Sequence, residues 1–309
     1  MRAEKNKKKK KIWLRVTGIV LFVLLIGIGV YAYSVYNSLT NAVETMHHPI
    51  DRKSDKRTVE VSLQEKQPFS VLLLGVDQRD GDKGRSDTMI ILSVNPKLNS
   101  VKMLSIPRDT RTEIVGKGTV DKINHAYAFG NEEMAMNTVE NFLDIPIDYF
   151  VKINMEGFED IVDAVGGITV NNDLDFSQDG YHFPKGQVTL DGKKALAFTR
   201  MRHEDPRGDF GRQLRQREII QGVLREGASL SSFTKYQSIF AALGNNVRTN
   251  LTFDQMMDIQ KNYRSAAGNV EQMTIKGSGT KINRIYYYIV PKEEKLRIQS
   301  ELKTQLDIK

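Results

Sequence analysis

The sequence predicts an α/β protein: a layered α-β-α ectodomain built on a central mixed sheet and preceded by one N-terminal transmembrane helix. Three observations carry that prediction. Residues 16 to 33, "VTGIVLFVLLIGIGVYAY", form an uncharged apolar run; "PFSVLLLGV" and the hairpin pattern after it read as buried strands; and from there strand-length runs interleave with helix-length ones. With 309 residues, 40% of them hydrophobic and 27% charged, the chain can bury a full core.

Taken in order, residues 1–15 are a basic cytoplasmic tail. Eight Lys/Arg against Glu4 account for the whole net charge of +7, and the other 294 residues carry 37 basic and 37 acidic groups. That neutrality removes the electrostatic case for a nucleic-acid partner, which needs a basic face on the folded part. The apolar run is about the length that spans a bilayer core, and Trp13, Tyr31, Tyr33 and Tyr36 flank it where interfacial aromatics belong. Residues 16–36 are therefore expected to be a signal-anchor helix. The lysines place its start in the cytoplasm, giving a single-pass cell-membrane protein with its ectodomain outside. Cleavage after "AYS" at 32–34 is the alternative, disfavoured because the run exceeds the usual signal-peptide core of about 7 to 15 residues. The absence of cysteine excludes a lipoprotein anchor, a disulfide framework and a cysteine nucleophile.

Residues 37–66 are polar without sustained period and read as an extracellular stem, which leaves 67–309 as one domain. In it, 68–76 is a doubly buried strand, and "MIILSV" and "VKMLSI" are the arms of a hairpin turned at "NPKLNS". "NEEMAMNTVENFL" is a helix opened by an Asn cap. "DYFVKIN", "MEGFEDIVDAVGG" and "GITVNN" follow as strand, short helix and strand. Residues 191–202, 209–226, 231–247 and 252–267 read as helices, "NVEQMTIKG" and "IYYYIV" as strands, and 291–306 as a last helix with Pro at its first position.

Two stretches carry chemistry. "GVDQRDGDKGRSDTM" leaves the carboxyl end of the buried strand, where open α/β sheets place ligands. There Asp77 and Asp87 can converge on a hard cation, or the loop is simply solvated with local Asx turns. "TRMRHEDPRGDFGRQLRQR" holds six arginines and no lysine. That choice favours fork-shaped donors for phosphate oxygens. A helix from Asp209 puts Arg212, Arg215/Gln216 and Ile219 on one face near its N-terminus; the alternative is that the arginines pair with Glu204, Asp205, Asp209 and Glu218. His203 is the one histidine in that cluster. No P-loop, nucleophile elbow or zinc motif occurs.

In order and spacing, "LLLGVDQR…GRSDTMIILSVNP…LSIPRDT" followed by "DGKKALAFTRMR" and "DFGRQLRQ" resembles the LytR-CpsA-Psr family of bacterial cell-envelope proteins over about residues 70–225. The resemblance implies a phosphotransferase. It would move an anionic, teichoic acid-like glycopolymer from a polyprenyl-pyrophosphate carrier to a peptidoglycan hydroxyl, the C6 hydroxyl of N-acetylmuramic acid, and form a phosphodiester. It further implies Mg²⁺ held by Asp77 and Asp87, and a pyrophosphate surrounded by Arg85, Arg108, Arg200, Arg202 and Arg212 with Gln216. Arg108 and Asp87 are the expected catalytic pair, with Asp87 or Asp109 conceivable as general base. An apolar slot for the polyprenyl tail is expected between the sheet and helices 155–165 and 230–244. A metal-dependent lipid-pyrophosphatase and a non-catalytic module holding anionic wall polymer are the competing functions.

Overall fold

In the computed structural model, residues 2–57, 59–76, 84–229, 239 and 243–308 are described; within these, the side chains of 2–20, 23, 28, 32 and 245 are not. The run that reads as buried on both faces is strand β1 (Phe69–Val76), and it lies inside the central sheet. It pairs antiparallel with β2 (Ser86–Asn95), which turns through Asn95 to Ser100 into β3 (Ser100–Ser105). Two ribbon strands, β4 (Arg111–Ile114) and β5 (Thr119–Lys122), lead to helix α2 (His125–Leu143). β6 (Tyr149–Ile153) then returns beside β1 in parallel.

Helix α3 (Met155–Ala164) is followed by a lobe of short strands: β7 (Ile168–Asn172), β8 (Phe176–Gln178), β9 (Tyr181–Phe183) and β10 (Gly186–Leu190). Helices α4 (Gly192–Arg200) and α5 (Asp209–Ser229) come next. The chain closes with β11 (Val247–Thr249), α6 (Phe253–Tyr263), β12 (Val270–Met273), β13 (Ser278–Ile282), β14 (Ile285–Ile289) and α7 (Lys292–Leu306). The central sheet has the order β11-β6-β1-β2-β3-β12, with β1/β6 and β3/β12 parallel and the other pairs antiparallel, so the sheet is mixed as expected.

Both faces of that sheet are covered, which makes the layers. On one, Leu72, Leu74, Ile91 and Leu104 pack with Val139 and Phe142 of α2 and with Ile298 and Leu302 of α7. On the other, Phe69, Val71, Ile90 and Met103 meet Tyr263 of α6 and Ile220 and Leu224 of α5. The strand-and-helix lobe has its own aromatic centre in Phe176, Phe183 and Phe198.

Three local readings differ from the sequence expectation. α2 begins at His125, not Asn131, because a kink at Gly130 and Asn131, whose backbone angles are non-helical, joins an extra turn to the expected helix. Pro291 is the N-cap of α7 and stands one residue outside it. Residues 37–46, read as the start of a polar stem, continue helix α1 (Arg2–Met46); Val35, Leu39, Val43 and Met46 recur at helical spacing and pack on Leu243, Val247 and Phe253. Among the described residues no helix is long and apolar enough to cross a membrane, and the expected span 16–36 falls in part on side chains outside the description. From Leu21 to Tyr36 α1 presents exposed apolar side chains, among them Phe22, Leu25, Val30 and Tyr33. The helix expected at 231–247 lies largely outside the described residues.

Candidate active site

The hairpin register builds the first half of the site. Ile90 of β2 stands opposite Ser105 of β3, so Asp87, three residues before one, and Arg108, three residues after the other, meet at the same rim. Arg108 Nη1 lies 3.0 Å from Asp87 Oδ1, which also accepts from Asn124 Nδ2 at 3.5 Å. Arg108 Nε is 3.9 Å from Asp109 Oδ2, and Lys122 Nζ reaches Asp109 Oδ1 at 2.6 Å. Burial works against the Arg108 charge, but the carboxylates of Asp87, Asp209 and Asp109 outweigh it and hold its pKa above the ordinary value. Beneath this rim β1 and β2 approach closely: a Cβ on Gly75 would stand 2.9 Å from Thr88 Cβ, so a side chain there would displace the strand that carries Asp87.

Helices α4 and α5 supply the other half. Arg200 ends α4, exposed, with Nη1 3.6 Å from Asp179 Oδ2, and Arg202 follows it in an exposed loop that also holds His203. Arg212 lies in the first turns of α5, its Nη2 2.6 Å from Asp209 Oδ1 and its Nε buried without a hydrogen-bond partner. Burial lowers the Arg212 pKa and Asp209 opposes this, while the like charges of Arg108 and Arg202 lower it further. Those mutual influences mean that three arginines from three segments crowd one space. A cation in the first turn of a helix opposes the helix dipole; Asp209 offsets part of the Arg212 charge and Asp87 part of the Arg108 charge, and the helix N-terminus favours a further anion beside them. One turn along, Gln216 Nε2 donates to Thr88 Oγ1 at 2.8 Å and ties α5 to β2.

Between these halves opens a cavity of about 430 Å³. Its lining combines Asp87, Arg200, Arg212 and Gln216 with the apolar side chains of Leu73, Ile153, Met155, Phe158, Leu196 and Ile220. The structure thus brings Asp87, Arg200, Arg212 and Gln216 onto one cavity wall, with Arg108 bonded to Asp87. Arg85 is exposed and, like Arg202, is not part of the lining. Asp77 lies outside the described residues, and among the described residues no three His, Cys, Asp or Glu side chains group as a metal site. Among the described lining residues, Asp87 offers the hard carboxylate oxygen that Mg²⁺ prefers. The apolar slot expected beside 155–165 is present, through Met155 and Phe158; the share expected from 230–244 falls mainly outside the description.

Sequence reasoning grouped Arg215 with Arg212, and the structure separates them. Arg215 is 2% exposed and turns inward, with Nε donating to Phe198 O at 3.0 Å, Nη2 to Met201 O at 2.5 Å and Nη1 to Asp205 Oδ2 at 2.6 Å. Asp205, fully buried in its side chain, also accepts from Arg207 Nε at 2.9 Å, and Arg207 reaches on to Asp173. Burial alone would raise the Asp205 pKa; the bonds from Arg207 and Arg215 override it and pull the carboxyl below the usual range. This network clamps the 201–208 loop against α5 and so fixes the carriers of Arg200 and Arg202. It also explains Gly211, where a Cβ would fall 1.9 Å from Asp205 Oδ2. The pairing alternative weighed for the arginine run therefore holds for Arg207 and Arg215 through Asp205, and for Arg212 through Asp209.

The family model described as the LytR_cpsA_psr family matches residues 33–304. The chain is 56% identical over 307 residues to the polyisoprenyl-teichoic acid–peptidoglycan teichoic acid transferase TagU of Bacillus subtilis strain 168, covering 99% of this chain and all of that one. The crystal structure of B. subtilis TagU superimposes with a TM-score of 0.65, covering 79% of this chain and 99% of that chain. A structure described as TagT bound to LIIa-WTA is 32% identical, with a TM-score of 0.73 over 85% of this chain and the whole of the other. With a family match across most of its length and relatives at this identity, the chain belongs to the LytR_cpsA_psr family.

Proposed function

We propose that this protein is a teichoic acid transferase, which moves an anionic glycopolymer from a polyprenyl-pyrophosphate carrier to a peptidoglycan hydroxyl. The observation that carries the reading is one cavity whose walls join apolar side chains to Arg200 and Arg212, the two chemistries of a lipid pyrophosphate; its arginines mark the mouth in this reading. Its relative TagU bears that activity in its name. The diphosphate occupies the mouth, where Arg212, Arg200 and Arg108 neutralise its charge and Gln216 orients it from α5. The acceptor hydroxyl attacks the phosphorus that bears the polymer, a P–O bond forms to peptidoglycan, and the bond to the bridging oxygen breaks. Polyprenyl phosphate departs with that electron pair, and the hydroxyl proton passes to a carboxylate at the rim, Asp87 or Asp109. Such transfer needs chiefly positioning and charge neutralisation, which fixed arginines supply.

Mg²⁺ held by Asp77 and Asp87 belongs to the same proposal; when bound it adds positive charge beside the diphosphate. So does the membrane anchor. The lysine tail, the apolar run at 16–33 and the exposed apolar surface of α1 support a single span with the ectodomain outside. A protease added to intact protoplasts should then digest the ectodomain and spare a small membrane fragment.

The deciding experiment gives purified full-length protein a radiolabelled lipid-linked saccharide together with peptidoglycan. Label in peptidoglycan, with polyprenyl phosphate released, is the expected result. Label set free in water irrespective of acceptor would instead identify a lipid-pyrophosphatase, and binding without turnover a passive wall-polymer module.

A further inference from the structure

On the flank of α5 turned away from Arg212 and Gln216 lies a second, smaller cavity of about 90 Å³. Arg217 and Ser105, both buried, lie among its walls with Gln213, Leu214 and Ile275, and the exposed Phe210 and Thr274 open it to solvent. Arg217 is 2% exposed, yet its partners are neutral: Nη1 donates to Ser105 Oγ at 2.9 Å and Nε to Gln272 Oε1 at 3.0 Å. Gln272 is itself held by Gln221 at 3.0 Å, so the guanidinium is fixed on two edges. Among the described residues no carboxylate forms an ion pair with it; Glu218 acts on it only at longer range.

A buried cation without a counterion is costly, as its neighbour Arg215 illustrates by taking Asp205. The cavity beside Arg217 has room for about three waters at roughly 30 Å³ each, the bulk of one carboxylate or phosphate group. Two hydroxyls, Ser105 and Thr274, add neutral donors to the walls, and Gln213, whose Nε2 donates to Asp209 Oδ2 at 3.1 Å, has a second N–H. We propose that this cavity is a second anion site, which takes one oxyanion group, carboxylate or phosphate, against Arg217. The site stands independently of the transferase reading, but that reading supplies its two sources: peptide carboxylates of peptidoglycan, or phosphates of the wall polymer.

The test melts the full-length protein in detergent with sodium acetate or sodium phosphate, against sodium chloride at equal ionic strength. Either oxyanion should raise the melting temperature saturably, on the order of 5 °C at a hundred-fold excess over its Kd. The rise should persist in Arg212→Gln, which reports on the larger cavity, and vanish in Arg217→Gln. Thr274→Leu fills the cavity while keeping the cation, so it too should abolish the rise, and it carries the test if Arg217→Gln fails to fold. A response to acetate alone assigns the site to peptidoglycan carboxylates, and one to phosphate alone assigns it to the polymer. No response beyond chloride, or a response that survives Thr274→Leu, overturns the proposal.

Discussion

Asp205→Ala probes how the loop carrying Arg202 is held. Among the described residues Asp205 is the only carboxylate bonded to Arg215, whose side chain is 2% exposed, and its own side chain is 0% exposed. Removing one member of such a pair leaves an uncompensated buried charge, which costs about 3–5 kcal/mol. Arg207 loses its bonds to Asp205 as well, but it keeps Asp173 and is partly exposed, so its share is small. For a folded region of this size, 1 kcal/mol shifts the melting temperature by about 2–4 °C, so the variant should melt roughly 6–20 °C lower. The measurement is thermal unfolding of the full-length protein, beside binding of the lipid-linked substrate at a temperature where the variant is folded. Binding should weaken, because Met201 and the residues after it lose the clamp that follows Arg200. Asp205→Leu with Arg215→Met replaces the pair by apolar groups of similar size and should recover most of the stability. A loss below about 1 kcal/mol in Asp205→Ala, or a double variant no more stable than the single one, would refute the clamp.

Arg108→Lys keeps the charge but loses the planar fork, and turnover in the transfer assay should fall on the order of 10²–10³ with a smaller loss of substrate binding; equal, small losses in both would remove its catalytic role. Gly211→Ala should destabilise by about 1–3 kcal/mol through overlap with Asp205 and should be markedly non-additive with Asp205→Ala, as a double-mutant cycle of melting curves would show. Burial, with Asp173 adding to it, pushes the Glu218 carboxyl up to about 7, from 4.5. Its folded-state value is thus the higher one, and the native state loses stability as pH rises from about 4.5 through about 7. Glu218→Gln should flatten that decline in urea midpoints taken between pH 4.5 and 8; parallel curves for variant and parent would count against it.

Much of this architecture is legible in the sequence because its signals are local. β1 announces itself as an unbroken apolar run and the β2–β3 hairpin by two such runs about a turn; α3 and α6 fall on helix-length runs, and the structure adds the caps at Asn154 and Thr252 that the sequence reading does not single out. The rim pair Asp87–Arg108 follows once the hairpin is placed, since register fixes it. The three-residue strands β8, β9 and β11 carry too few positions for a period to appear. The fate of each arginine was less accessible still. Arg212, Arg215 and Arg217 fall within six residues of α5, yet one faces the large cavity, one takes a buried aspartate, and one lies against Ser105 and Gln272. Helical spacing separates their directions, but what awaits each is set by Asp205 and by β3 and β12, far off in the chain.

The strand order β11-β6-β1-β2-β3-β12 has a bearing on how the chain reaches this state. The four inner strands come from residues 69–153, while both outermost strands, and the helix that covers Leu104 and Ile91 from one side, come from residues beyond 246. A chain stopped short of them would present two bare sheet edges and an apolar face covered by α2 without α7, the features that invite aggregation. Even the turn after β2 waits for the end, since Asn95 Nδ2 donates to Gln305 O across 210 residues at 2.7 Å. Pairings of such sequence separation form slowly and together. The sheet is therefore completed only after residues 247–306 have been synthesised, and loss of the final two turns of α7 should be felt at its centre.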